Sequence, residues 1–141
     1  MPIDSFDPDS VWKPFGAFSQ AVVQGMGKIV HLKGQVSLDK EGGIVGEHDI
    51  EVQVNKALEN MNTILSEFGG RMEDIYSLTH HVTNIDEFMK TGHIRARYFK
   101  PPYPVTTTVE VTRLYHPDLL VEITSSAEIP LERFVEPRRS E

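Results

Sequence analysis

The chain has 141 residues, 39% of them hydrophobic and 25% charged, a composition typical of one soluble globular domain. Its formal net charge of −7 argues against a nucleic-acid or anionic-membrane surface, because both require clustered lysine and arginine. The absence of cysteine excludes disulfides, thiol nucleophiles and thiolate metal sites. The acidic, proline-containing start is unlike a secretory signal, and no apolar run approaches a membrane span, so we expect a cytoplasmic location.

The first part of the chain predicts strands. Residues 1–10 are expected to form a loose, flexible arm. Residues 12–23 mix aromatic side chains with proline and glycine, which is typical of an edge or bent strand. A glycine-containing turn then predicts a hairpin into a second strand over residues 28–38, whose alternation gives it one apolar and one polar face.

Two helices follow, separated by a strand. Residues 49–68 carry apolar side chains at three-to-four spacing, start at a capping residue (Asp49 or His48) and end at two glycines, so they predict a long amphipathic helix. Residues 75–83 predict a strand. A capping box at Asn84 then predicts a second helix to about residue 99, where prolines end it.

Two stretches rich in β-branched residues, 104–112 and 120–126, organise the C-terminal part of the chain. Both alternate strictly, so each predicts a strand with two distinct faces. The turn-rich connection between them predicts that they pair as a hairpin. The side chains predicted to share a polar face are Thr106, Thr108, Glu110 and Thr112 on the first strand, and Leu120, Glu122 and Thr124 on the second.

The predicted order is strand, strand, helix, strand, helix, strand, strand, which is an α+β arrangement. Two amphipathic helices cover one face of such a sheet and leave the other face open. We therefore expect self-association, with polar groups held at subunit contacts. The open face is predicted to carry His31, Lys33, Gln35, Thr106, Thr108, Glu110, Glu122 and Thr124.

Several segments stand in a recognisable order: GAFSQAV (16–22), KGQV (33–36), the long helix, EDIYSLTHHVTNIDEF (73–88), PVTTTVEVTRL (104–114) and LVEITSSAEI (120–129). Together they resemble the Rid family of enamine/imine deaminases, also called the YjgF or L-PSP family. The resemblance implies a chorismate-mutase-like mixed β-sheet with two helices on one face, and a homotrimer with a site in each cleft between subunits. It places one Rid-like domain at residues 11–129, followed by a charged tail over residues 130–141.

The residues that match the family's site include several departures. The family's arginine, which grips a substrate carboxylate, is replaced by Thr106, which offers one neutral hydrogen bond instead of a bidentate ion pair. Glu122 matches the glutamate thought to orient the attacking water, so the resemblance implies a catalytic Glu122. The remaining implied substrate-binding positions are Phe18 in place of a tyrosine, Lys33 in place of a serine, Gly34, Thr107, and Thr108 in place of a cysteine; Gly92 replaces an asparagine.

The residues present still permit imine hydrolysis. That reaction needs a protonated C=N bond, a positioned water and a carboxylate that takes the proton of the water, and Glu122 can supply the carboxylate. Either Lys33 or Arg95 can replace the lost positive charge, Lys33 as a point charge and Arg95 from the second helix. The competing interpretations are an interface carboxylate paired with a cation for Glu122, and solvated surface cations for Lys33 and Arg95.

The histidines do not predict a metal site. His80 and His81 are adjacent in a strand, so their side chains point to opposite faces and cannot bind one ion. The other histidines lack the spacing of metal ligands. We expect neither a metal nor a cofactor.

Three functions are compatible with these observations. The first is an enamine/imine deaminase-like hydrolase that acts on a small anionic metabolite in clefts between subunits. The second is a non-catalytic trimer that binds a small metabolite. The third, RNA cleavage or translation inhibition, is disfavoured by the acidic balance.

Overall fold

The computed structural model describes residues 4–139, which form six strands and three α-helices. The first half contains β1 (Asp4–Phe6), β2 (Ala21–Val23), β3 (Lys28–Gln35) and α1 (Ile50–Ser66). The second half contains β4 (Ile75–Val82), α2 (Ile85–Met89), α3 (Gly92–Arg95), β5 (Val105–Glu110) and β6 (Val121–Ile129). A short 3-10 turn, Met72–Asp74, precedes β4. Within residues 4–139, no helix combines the length and the apolar character needed to cross a membrane.

The long helix forms as its apolar spacing predicts. The Asp49 side chain caps α1 by accepting a hydrogen bond from the Val52 backbone N–H at 3.1 Å. Gly69 ends the helical segment with a φ of +76°, a conformation that favours glycine. The helix buries one stripe completely against the sheet, consisting of Val54, Ala57, Leu58, Met61 and Leu65.

Strands β3 to β6 form a mixed four-stranded sheet in the order β3-β6-β4-β5. Strand β4 runs parallel to β5 and antiparallel to β6. The predicted hairpin between β5 and β6 is therefore wrong, because β4 lies between them. The ten-residue connection from Val111 to Leu120 carries the chain across β4, and alternation alone does not specify which strand is the neighbour.

The N-terminal strands form a separate pair. Strand β1 pairs antiparallel with β2, so part of the expected flexible arm is a strand; residues 1–3 of that arm lie outside the described residues. Strand β2 is three residues long and does not continue as a hairpin into β3, contrary to the prediction. The preceding aromatic segment, residues 12–18, contains no strand.

The second helix is shorter than predicted and consists of two pieces. Asn84 caps α2 by accepting a hydrogen bond from the Glu87 N–H at 3.1 Å, as the capping motif predicts. The Glu87 carboxylate binds Lys90 at 2.7 Å instead of reaching back. Glu110 at the end of β5 accepts a hydrogen bond from the Ile85 N–H at 3.0 Å, which satisfies another free donor of this helix end.

The core lies between the sheet and the helices. Leu32, Leu78 and Ile123 from three neighbouring strands pack there against α1, with Phe88 of α2 and Ile94 of α3. The opposite side of the sheet, which we call the open face, has no helix packed on it within residues 4–139. It carries His31, Lys33, Ser77, Thr79, His81, Thr107, Val109, Glu122, Thr124 and Ser126.

Candidate functional site

A cavity of about 620 Å³ lies where the edge strand β5 meets α2, α3 and the N-terminal aromatic segment. We call it the Arg95 cavity. Its polar lining comes from Arg95, Thr106 and Thr108, and its apolar lining from Trp12, Phe15, Phe18, Ile85 and Met89. The volume falls within the range of about 300–1,000 Å³ that is typical of small-molecule sites.

Arg95 brings a positive charge to this cavity. Its guanidinium carbon lies 4.5 Å from the centre of the Phe88 ring, which holds the side chain by a cation–π contact. The Nε atom is buried without a hydrogen-bond acceptor, and no carboxylate in residues 4–139 forms an ion pair with this side chain. Burial lowers the pKa of Arg95 because it disfavours the charged form. The cavity therefore contains a partly desolvated cation that has no carboxylate partner among the described residues.

His80 supports the cavity from inside the sheet. It is buried between Thr108 and Phe88, with Nδ1 at 2.9 Å from the Thr108 hydroxyl and its ring centre 4.9 Å from that of Phe88. Burial, together with the nearby charges of Arg95 and His81, lowers the pKa of His80 to about 3. The ring is neutral at physiological pH, so it fixes the Thr108 hydroxyl without adding charge.

Glu122 lies on the open face of β6 and forms a second group of candidate residues with Lys33 and Gly34. The Glu122 carboxylate lies over the backbone of Gly34, where an added Cβ would stand 2.2 Å from Oε2. A β-bulge between Leu32 and Gln35 places Lys33 and Gly34 beside β6. The Lys33 ammonium is 3.9 Å from Glu122 Oε2 and its side chain is 80% exposed, so this ion pair is weak.

The Arg95 cavity and Glu122 are on opposite faces of the same sheet. Thr106 pairs in register with Leu78, and Thr108 with His80, both of which are buried on the helix side. Glu122 pairs with His81 on the open face. The expectation that Thr106, Thr108 and Glu110 share the open face with Glu122 is therefore wrong.

The physical reason is that β5 reverses the usual distribution of polar and apolar side chains between the two faces of a strand. Its polar side chains face α2 and α3, where Glu110 caps one helix and Thr108 binds His80. Its outward side carries Thr107 and Val109, which is 39% exposed. Thr107 is thus on the open face with Glu122, but β4 separates the two strands. An apolar outward face on an edge strand favours contact with another chain.

The aromatic segment is held at the cavity by backbone contacts to the residues before β5. The Ser19 hydroxyl donates to the Tyr103 carbonyl at 2.6 Å, and its N–H donates to the Pro104 carbonyl at 2.9 Å. These bonds place Phe18 next to Thr106 on the cavity wall. The resemblance indicated Phe18, whereas the participation of Trp12 and Phe15 was not predicted from the sequence, although three aromatic residues within seven positions were a visible signal.

The structure thus brings the predicted residues together in two groups instead of one. Phe18, Thr106, Thr108 and Arg95 line the cavity, and Gly34, Lys33 and Glu122 meet on the open face. His80 and His81 face opposite sides of the sheet, as their adjacency predicts. His80 was assigned no role at the site from sequence, because its burial against Thr108 depends on the parallel pairing of β4 and β5.

The chain resembles known proteins over most of its length. The family model described as Endoribonuclease L-PSP matches residues 9–129. A RutC family protein of Pyrococcus abyssi is 32% identical over 115 residues, which cover 82% of this chain and 88% of that protein. A Myxococcus xanthus protein named DfrA is 29% identical over 106 residues, or 75% of this chain and 81% of that protein.

Solved structures show the same fold. A Yersinia pestis protein of unknown function from the conserved Rid family superposes with a TM-score of 0.82 at 28% identity, covering 92% of this chain and all of that one (100%). A Mycobacterium tuberculosis member of the YjgF/YER057c/UK114 family superposes with a TM-score of 0.64 at 32% identity, covering 79% and 86% of the two chains. The match of fold, sequence and family model shows that this chain belongs to the YjgF/L-PSP/Rid family.

Proposed function

We propose that this protein is an imine or enamine deaminase-like hydrolase that acts on a small anionic metabolite. The observation that carries the proposal is the guanidinium of Arg95, which lines a ligand-sized cavity and has no carboxylate partner within residues 4–139. A partly buried cation without a counter-ion is costly, and a bound anion would remove that cost. Family membership supports the choice of a small-molecule reaction.

Arg95 takes over the task of the family arginine that Thr106 replaces. It approaches the same part of β5 from α3, and it retains the fork that binds a carboxylate through two parallel hydrogen bonds. The hydroxyls of Thr106 and Thr108 lie on the cavity wall and can bind the remaining polar atoms of the ligand. We therefore assign the anion to Arg95, with Lys33 in a different position beside Glu122.

The chemical step requires a base and a water molecule. Water adds to the carbon of the protonated C=N bond, and Glu122 accepts its proton, which gives a carbinolamine. Glu122 then returns this proton to the nitrogen, the C–N bond breaks to release ammonia, and the hydroxyl loses its proton to solvent as the carbonyl forms. Lys33 stands 3.9 Å from Glu122 Oε2, so it places a positive charge beside the carboxylate that accepts the proton.

The complete site requires more than one copy of the chain. Glu122 and the Arg95 cavity are on opposite faces of one sheet, so they cannot face the same ligand within one subunit. In a homotrimer, the edge strand β5 of one copy can approach the open face of the next. The exposed Val109 and Ile29 support such a contact.

The proposal is tested with two substitutions in steady-state assays on imines generated from amino acids by an amino-acid oxidase. Glu122→Gln keeps the shape but removes the base, so kcat should fall by about two to four orders of magnitude. Arg95→Gln removes the charge, so KM should rise by about 10- to 100-fold. Arg97→Gln, which changes an exposed arginine two residues away, is the matched control and should leave both values unchanged.

The alternative is a non-catalytic protein that binds a small metabolite. The Lys33–Glu122 contact favours it, because the carboxylate already has a cation. Full turnover in the Glu122→Gln variant would establish that this carboxylate is not the base. An unchanged KM in the Arg95→Gln variant would show that the anion binds elsewhere. The net charge of −7 argues against RNA as the ligand.

A further inference from the structure

Three aromatic rings stand together at the mouth of the Arg95 cavity. The centres of Trp12 and Phe15 are 5.8 Å apart, those of Phe15 and Phe18 are 5.2 Å apart, and those of Trp12 and Phe18 are 5.8 Å apart. They contact one another instead of entering the core. Trp12 is 61% exposed and Phe15 is 80% exposed. Exposed aromatic groups of this size usually mark a binding surface.

The position of these rings points to a ligand. All three belong to the cavity that contains the unpaired guanidinium, and Ile85 and Met89 of α2 extend the apolar wall. A methionine beside aromatic rings forms an adaptable surface that accepts flat apolar groups. The cavity thus combines one cationic position with a much larger apolar part.

A glycine on α3 also leaves space next to the guanidinium of Arg95. Gly92 lies one helical turn before Arg95, and a Cβ added there would be 4.0 Å from its nearest neighbour, Nη2 of Arg95. The volume of about 620 Å³ far exceeds what a two- or three-carbon acid fills. A ligand that used only the guanidinium would leave the aromatic wall in contact with water.

We infer that the Arg95 cavity selects an aromatic carboxylate, whose carboxylate binds Arg95 and whose ring packs against Trp12, Phe15 and Phe18. This inference deepens the proposed function and rests on its anion site at Arg95. The substrate would be the imine of an arylalkyl amino acid, and the reaction that supplies it would be the oxidation of an aromatic amino acid. Packing the ring removes apolar surface of both partners from water.

Trp12 is the only tryptophan of the chain, so its fluorescence reports directly on this cavity. The experiment titrates the assembled protein with phenylacetate, acetate and the uncharged phenylacetamide, exciting at a wavelength specific for tryptophan, and repeats the titrations by calorimetry. Phenylacetate should bind about 10- to 100-fold more tightly than acetate, the ratio expected for burial of one aromatic group. Phenylacetamide should bind at least about tenfold more weakly than phenylacetate, because it lacks the charge.

Variants separate the ring contribution from the charge. Phe15→Ala removes a ring that is 80% exposed, and should reduce the preference for phenylacetate over acetate by about tenfold. Phe6→Ala is the matched control, because Phe6 is 62% exposed but does not line the cavity, and it should leave the preference unchanged. Arg95→Gln should weaken the binding of phenylacetate and of acetate by a similar factor.

Three other outcomes are possible, and each of them would overturn the inference. Equal binding of acetate and phenylacetate, with both dependent on Arg95, would overturn the aromatic preference and leave the proposed anion site intact. Binding of neither acid in an Arg95-dependent manner would overturn the anion site itself. If Trp12 fluorescence did not change with either acid but changed when the protein was diluted, the rings would be assigned to a contact between copies of the chain. This result would also overturn the inference.

Discussion

His80 connects the sheet to the Arg95 cavity through one hydrogen bond. Its Nδ1 is 2.9 Å from the Thr108 hydroxyl, while its Nε2 is buried without a partner. Protonation would place a charge in this apolar position close to Arg95, which explains why its pKa is lowered to about 3. The same residue that positions a cavity hydroxyl is therefore sensitive to acid.

The stability of the protein should fall as the pH decreases below the ordinary histidine value. The pKa of His80 is 6.5 when unfolded and about 3 when folded, so between these values only the unfolded state binds the proton. The resulting loss is about 1.4 kcal/mol per pH unit from this residue. We expect urea unfolding to show this slope in the wild type between pH 6 and 5, and about half of it between pH 7 and 6, where the unfolded histidine is only partly protonated.

The substitution His80→Gln isolates the effect, because glutamine can still bind Thr108 but does not titrate. The variant should be less stable at pH 7, and its stability should depend less on pH than that of the wild type between pH 5 and 7. Parallel curves for the two proteins would contradict a buried, neutral His80.

At the scale of the elements, the C-terminal segment is attached to the domain more firmly than its composition suggests. The guanidinium of Arg133 binds both oxygens of the fully buried Asp74 carboxylate, at 3.0 and 2.5 Å, and also donates to the Gly69 carbonyl at 2.8 Å. Phe134 stacks on Phe68 with ring centres 6.4 Å apart. The segment from 133 to 135 therefore closes the end of α1; residues 140–141 of the predicted tail lie outside the described residues.

Arg133→Met should lower the unfolding free energy by about 3–5 kcal/mol, because it leaves the buried charge of Asp74 without its partner. Arg71→Gln is the matched control. It breaks an exposed pair with Glu73 at 3.3 Å and should cost no more than about 1 kcal/mol. Urea unfolding at pH 7 measures both variants. Equal effects would mean that the Arg133 contact contributes little to stability.

Local sequence patterns predicted the individual helices and strands better than they predicted which strands pair in the sheet. The three-to-four spacing of α1, its cap at Asp49 and the alternation of β6 are local properties, and the structure confirms them. The alternation of β3 holds only as far as the bulge after Leu32, so the prediction that Gln35 lies on the open face is wrong: Gln35 pairs with the buried Ile123. The position of β4 between β5 and β6 depends on contacts between residues distant in sequence, which alternation does not encode. The Arg133–Asp74 pair has the same origin: 59 positions separate its members.

The candidate site follows the same rule. The resemblance identified Glu122, Thr106 and Phe18 by position, and their separation onto two faces became visible only from the strand register. On β5 the alternation predicted that the wholly polar face of Thr106, Thr108 and Glu110 would point away from the helices, because polar faces are usually the exposed ones. Contacts with α2 and α3 give this face the opposite orientation. The presence of Trp12 and Phe15 at the cavity could not be predicted, because it depends on the hydrogen bonds that anchor an irregular segment to the residues before β5.

For the whole molecule, the division of the site between two faces predicts complementation between two impaired variants. Chains that carry Arg95→Gln and chains that carry Glu122→Gln, denatured together in equal amounts and refolded, should form mixed oligomers. If each site takes its base and its guanidinium from different copies, about one quarter of the sites contain two intact groups after random mixing. About a quarter of the wild-type activity should then return, measured in the same imine assay.

The control refolds each variant alone and is assayed at substrate concentrations well below the wild-type KM, where each variant should retain no more than about a tenth of the wild-type activity. No recovery in the mixture, with mixed oligomers demonstrated by native mass spectrometry, would show that both groups act within one chain. Such a result would contradict the composite site, since every chain in the mixture carries one defect.

The order of strands in the sheet also determines when the protein can fold during its synthesis. Strand β3 lies at the edge of the four-stranded sheet and pairs there with β6. This pairing places Lys28 opposite Ile129. Roughly 85 residues are translated after β3 before β6 begins, which takes roughly 4 to 17 s at about 5–20 residues per second. Throughout this interval the nascent chain carries a strand without its partner, so the ribosome must release almost the whole polypeptide before the sheet can close.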